Sequence, residues 1–166
     1  MGEAKVGEAF IKHEFDEAIA IQQCIVDAES TLSKQHPEGT AKRTIKSAMT
    51  ADERYLQQLR TLGRQHQATG EVEDVAGGLK ELMESTLEKA TSDGNDSDFY
   101  EAHAVLLNLK RKQWDSAGGM LAIARDQKDT QLRDAAKDFQ AAQKASATEL
   151  TKELAAFAVR IAGQAA

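Results

Sequence analysis

Acidic and amide side chains stand where this sequence should be apolar. Along each long hydrophobic seam a polar residue breaks the rhythm near the middle: Gln22 and Glu29 in the first, Asp52 in the second, Gln113 in the third and Gln143 in the fourth. A buried carboxylate costs several kcal/mol unless it is paired, hydrogen-bonded or bound to metal, so such a layer needs a reason.

One reason is a metal centre. Di-iron helical proteins set a glutamate on each of two helices and a Glu-x-x-His pair on each of the other two. Carboxylate oxygens and imidazole nitrogens suit iron or manganese. The chain has no Glu-x-x-His. His103 follows Glu101 by two residues, which turns the pair onto different helix faces, and His13, His36 and His66 fall toward helix ends or in turns. Two carboxylates and three amides are too few to hold two cations. Glu29 and Asp52 are thus the candidate metal ligands, within a vestigial layer that includes Gln22, Gln113 and Gln143. The other reason is structural, since amides and carboxylates can satisfy one another across a helical core and fix its register. No catalytic residue is assigned and no cofactor is expected, iron or manganese being the ions an atypical site would take.

The elements that carry this layer are helices. The chain has 166 residues, 41% hydrophobic, 29% charged and only 5% aromatic, with one proline and alanine supplying much of the apolar share. Alanine is the best helix former, and a core poor in aromatics suits closely packed helices. The first helix is predicted from about Gly7 to Gln35, stopped by His36-Pro37-Glu38-Gly39. Thr40 is placed as the cap of a second helix reaching Gln67. A short helix follows over Val75 to Ala90, and Thr91 to Ser97 reads as a loop. Ser97 opens the third long helix, to Ala124, and the last runs from Thr130 to Ala162.

Apolar residues recur at steps of three and four in all four long helices, for example Ile11, Phe15, Ala18, Ile25 and Leu32, or Leu132, Ala136, Phe139, Leu150, Leu154 and Phe157. That spacing suits shallow-angle packing of neighbours. If the long helices alternate up, down, up, down, the polar interruptions meet at one height. The fold class is therefore all-α: an antiparallel four-helix bundle with one short additional helix, in a single domain over residues 1–166.

The net charge of −6 gives no reason to expect nucleic acid. No apolar run approaches a membrane span, no secretory signal is visible at the N-terminus, and Cys24 is the only cysteine, so a cytoplasmic location is the default.

Val26-Asp27-Ala28-Glu29-Ser30-Thr31-Leu32, Gly78-Leu79-Lys80-Glu81-Leu82 and the stretch from Lys112 to Leu154, in that order and spacing, resemble the YciE/YciF-like family of ferritin-like bacterial stress proteins over nearly the whole chain. The resemblance implies that the four-helix bundle is ferritin-like and that the protein has a role in stress response. It also exposes departures. Lys112-Gln113 stands where the family has a Glu-His pair, Ala142-Gln143 where it has adjacent acids, and Thr50, Ala51 and Asp52 near its paired acids. By this comparison most di-metal ligand positions are substituted, and Lys112 puts a cation where the family has an anion, which would repel metal.

Lys110-Arg111-Lys112 reads as a solvated helix face. Trp114, with Gly118, Gly119 and Met120, is the candidate contact of a homodimer: tryptophan offers large contact area at low entropic cost, and paired glycines inside a helix ask for a close neighbour. Cys24 reads as a small buried apolar group. The function expected from these features is a non-enzymatic bundle acting through self-association or a protein partner. A metal-dependent oxidoreductase using Glu29, Asp52, Glu17 or His103, and a helical adaptor with an exposed apolar stripe, are the alternatives.

Overall fold

The computed structural model describes residues 2–72 and 75–164, and every regular element among them is helical. The elements are α1 (Gly2–Gln35), α2 (Gly39–Gly63), a single 3-10 turn (Arg64–His66), α3 (Val75–Asp93), α4 (Asp96–Asp126) and α5 (Thr130–Ala162). No helix among them is long and apolar enough to cross a membrane.

Local chemistry sets the boundaries. Pro37 ends α1, as predicted, but the cap expected from Thr40 is absent: α2 already starts at Gly39, and Glu38 stands at its N-cap position without a side-chain bond. The predicted loop from Thr91 to Ser97 shrinks to two residues. Gly94 takes a left-handed turn (φ +67°), and Asn95, not Ser97, caps α4 by accepting from the Asp98 amide at 2.9 Å. Asp96 and Asp98 then face the positive end of the helix dipole. Asp129 caps α5 in the same way, on the Leu132 amide. After α2, the Asp16 carboxylate accepts from the Thr69 and Gly70 amides at 2.7 and 2.9 Å and ties the returning chain to α1. Gly70 sits at φ +87°, with Ile19 2.7 Å from where a β-carbon would lie, so only glycine fits this turn.

The long helices pack side by side in the cyclic order α1, α2, α5, α4, each antiparallel to its neighbours, while α3 lies outside against α1 and α4. The course is not a simple alternation. Nineteen residues at about 1.5 Å rise make α3 about 28 Å long, enough to carry the chain back from one end of the core to the other. As a result α2 and α4, which face each other diagonally, run parallel. α3 earns its place by a three-and-four stripe of its own, Ala76, Leu79, Met83, Leu87 and Ala90, which packs into the core.

Two apolar clusters fill the interior. At one end Ile11, Phe15, Leu59, Met120 and Leu132 surround Tyr55 and Phe139, whose rings stack at 3.8 Å. At the other, Leu32, Ile45, Leu106, Leu109, Leu150 and Phe157 pack under α3. The polar layer lies between them.

Candidate functional site

The predicted layer is buried and convergent: Gln22, Glu29, Asp52, Gln113 and Gln143 are all 2% exposed or less. Its central member is one that sequence reasoning placed outside. Lys110 is wholly buried, and its ammonium reaches three acceptors: Asp52 Oδ2 at 2.9 Å, Glu29 Oε2 at 3.1 Å and Gln143 Oε1 at 3.4 Å. The reading of Lys110-Arg111-Lys112 as a solvated face is therefore corrected for its first residue. The cation inside the core is Lys110 and not Lys112, which is half-buried on the outer side of α4, 3.7 Å from Glu17.

Asp52 is the best satisfied group in the layer. Besides Lys110, its Oδ1 accepts from the amides of Gln143 and Gln22, the latter at 3.4 Å, and the Gln22 amide also donates to the Asp52 backbone carbonyl at 2.9 Å. Gln113 extends the network, donating to Ala18 O at 2.8 Å and to Gln22 Oε1 at 3.1 Å. Glu29 differs. Its contact with Lys110 is a close ion pair without hydrogen-bond alignment, and neither carboxyl oxygen accepts a hydrogen bond. Burial drives its pKa well above the usual range; Lys110 draws it back, and nearby Asp52 raises it further. For Lys110, burial disfavours the charge, but Glu29 and Asp52 outweigh it and the ammonium is favoured.

This donor set does not fit a metal pair. Glu29 and Asp52 do meet, but the space between them belongs to a tethered cation, and the remaining neighbours are amides. A second positive ion there would meet the ammonium at close range in a low-dielectric interior. The other ligands considered, Glu17 and His103, are not brought to the layer. Glu17 lies on the outer side of α1 with His13 (3.1 Å) and Lys112. Its group with His13 and Glu14 is partly exposed.

His103 belongs to a separate buried relay. The Glu38 amide donates to His36 Nδ1 at 3.0 Å, which leaves His36 Nε2 to donate to His103 Nδ1 at 2.9 Å, and His103 Nε2 to donate to Leu150 O at 2.9 Å. The chain of donors fixes both tautomers and makes both imidazoles neutral. Burial, then the neighbouring His103 and Arg160, push His36 down to about 3, and burial lowers His103 too. Placing His36 in a turn was correct, but it is closed over by Phe99 and Phe157.

The candidate interface residues divide. Trp114 is 40% exposed, with its indole N–H donating to Gln140 O and the Gln140 amide donating back to Trp114 O, both at 3.2 Å. At Gly118 a β-carbon would stand 3.2 Å from the side-chain amide of Gln140 in α5 of the same chain. Gly119 faces open space, which explains no contact. Met120 is buried in the core and is removed from the interface set, since its stripe continues Gln113 and Ala117 inward. Beside Trp114, between α4 and α5, runs a groove of about 610 Å³ lined by Arg111, Lys144, Ala147 and Lys152. Cys24 is buried as predicted, its thiol pushed up to about 11 by burial and then by Glu84 and Asp27.

Comparison with known proteins adds no neighbour to this picture: no family model, no curated protein and no solved structure matches the chain.

Proposed function

We propose that this chain is a ferritin-like four-helix-bundle protein without a working di-metal centre, acting as a non-enzymatic scaffold in stress response through self-association or a protein partner. One observation carries the reading: the Lys110 ammonium lies within 3.1 Å of both Glu29 and Asp52, the two carboxylates a metal would need. A positive charge fixed to the chain stands beside both acids where a loaded ion would, and the two histidines nearest the core are committed to each other and to a backbone carbonyl. The crossover α3, which sets the consecutive long helices α2 and α4 parallel and across the diagonal, favours the ferritin-like arrangement over a plain up-and-down bundle. Stress response follows from the sequence resemblance, and a cytoplasmic setting is the default for a chain with one cysteine and no apolar span.

Self-association is assigned to the Trp114 face. The ring's polar atom is already satisfied by Gln140, so a visiting surface meets a fixed apolar plate.

Metal content tests the central reading. Protein purified without chelator or metal-binding tag, then incubated with ferrous iron in air and desalted, is expected to carry no iron or manganese by elemental mass spectrometry. A stoichiometry near two ions per chain overturns the proposal. For the interface, sedimentation of the intact protein should show a dimer that Trp114→Ala converts to monomer; a monomer from the outset would leave the groove to an outside partner.

A further inference from the structure

The start of α1 stands clear of the core. From Val6 to Phe10 every residue is exposed, and five residues span more than one helical turn, so the helix is uncovered on all sides there. Ile11 is the first buried residue among those described. A helix end without packing partners is only marginally held by its own backbone bonds. This one nevertheless carries apolar weight. Val6 and Phe10 are 71% and 55% exposed and, four residues apart, share one face. Among the described residues the other exposed large apolar side chains, Leu82, Trp114 and Val159, stand singly on three different helices.

The groove beside Trp114 has the matching chemistry. It is lined by Trp114 and Ala147 and by the cations Arg111, Lys144 and Lys152, with Asp115 the one acid among its lining residues, in a protein of net charge −6. Two such grooves laid face to face would set three cations against three, so like charge opposes that pairing. A helix end that offers apolar side chains and acid fits instead. Residues 6–10 hold one acid, Glu8, and no base, and Glu14 follows one turn beyond Phe10 on the same face.

We infer that two copies of this chain exchange the starts of α1, each laid in the other's Trp114 groove. The inference rests on self-association through the Trp114 face and names the segment that fills it. Gln113 of α4 donates to Ala18 O of α1, so Trp114 is level with Ala18, ten residues beyond Glu8 or about 15 Å along the helix. A two-fold axis across the bundle, midway between those heights, brings each α1 start to the other copy's groove at once. The contact therefore closes on two copies and does not propagate. Phe10 packs on the Trp114 ring, whose N–H is already bonded to Gln140, and Glu8 and Glu14 meet the cations of the groove.

The test is sedimentation of the full-length protein and its variants over a concentration series. Phe10→Lys removes an exposed ring and sets a cation against Arg111, Lys144 and Lys152. It should raise the dimer dissociation constant by about 100-fold or more, since two phenyl groups leave the interface. Its circular dichroism should match that of the wild type, because Phe10 lies outside the core. Mixing is the sharper arm. Phe10→Lys and Trp114→Ala should associate more tightly with each other than either does with itself. One intact pairing survives in the mixture: Phe10 of the Trp114→Ala chain in the groove of the Phe10→Lys chain. Association no tighter than in either variant alone overturns the exchange. A Phe10→Lys protein that dimerises like the wild type, while Trp114→Ala does not, overturns the exchange and leaves self-association through Trp114 standing. A monomeric wild type overturns both.

Discussion

Two polar groups are buried in this core, and they solve the same problem in opposite ways. The layer at Lys110 keeps charge inside and balances it: ammonium against carboxylate, with amides taking the remaining valences. The relay of His36 and His103 keeps charge out, since each ring nitrogen has one role and no proton is left over. The difference teaches where each region is fragile. Removing a partner from the charged layer strands a charge. Adding a proton to the relay creates one.

The largest effect should follow from Lys110→Met, which leaves Glu29 and Asp52 buried without a cation. Unpairing a buried ion pair by removing one partner typically costs about 3–5 kcal/mol, read as a lower denaturation midpoint in urea. Loss close to zero would mean that the ammonium is not the group holding the layer together.

Acid should break the relay next. Both imidazoles are held below their ordinary value in the folded protein, so the unfolded chain binds more protons below about pH 6.5. Stability from the relay is complete above that pH and falls as pH drops toward the folded His36 value of about 3. The slope is up to about 1.4 kcal/mol per pH unit for each histidine. Glu29 acts with the opposite sign. Its folded pKa is raised, so its contribution is present at low pH and lost as pH rises through the folded value. Relative to His36→Leu/His103→Leu, which keeps Glu29, the denaturation midpoint of the intact protein should therefore fall from pH 7.5 to 6 to 5. Equal slopes in the two proteins would contradict a neutral buried pair.

The smallest effect sharpens the contrast within the charged layer. Glu29→Gln removes an acid that accepts no aligned hydrogen bond and should cost no more than about 1 kcal/mol. Asp52→Ala should cost several times as much, because it strands the donors of Lys110, Gln22 and Gln143. A reversed order would show that Glu29, and not Asp52, anchors the ammonium.

Much of the architecture was legible because periodicity and punctuation are local. Pro37 stops α1, and the three-and-four stripes mark the buried faces. The boundaries that went wrong depend on caps of similar chemistry competing over two or three residues, as Asn95 and Ser97 do. The crossover was not legible, since nothing in the composition of α3 says which way it carries the chain.

The site was half legible. The polar interruptions at Gln22, Glu29, Asp52, Gln113 and Gln143 were found, but their cation was not, because Lys110 sits in a basic run whose other two members do face outward. The signal was present. Phe99, His103, Leu106, Lys110, Gln113, Ala117, Met120 and Ala124 form an unbroken stripe of alternating four and three, and every member is buried. α4 packs against α1, α3 and α5, so its buried face is wider than one seam. A seam read through Ala102, Leu106, Leu109, Gln113, Ala117, Met120 and Ala124 carries Met120 inward but passes by Lys110 and His103 together.

The claim that Lys110 supplies the positive charge of this core is tested most directly by a rescue. Urea denaturation of Lys110→Met should show a loss of about 3–5 kcal/mol, and adding Glu29→Gln and Asp52→Asn, which remove the stranded acids, should recover a substantial part of it. A Lys110→Met protein as stable as the wild type, or one made still weaker by neutralising both acids, would contradict the account.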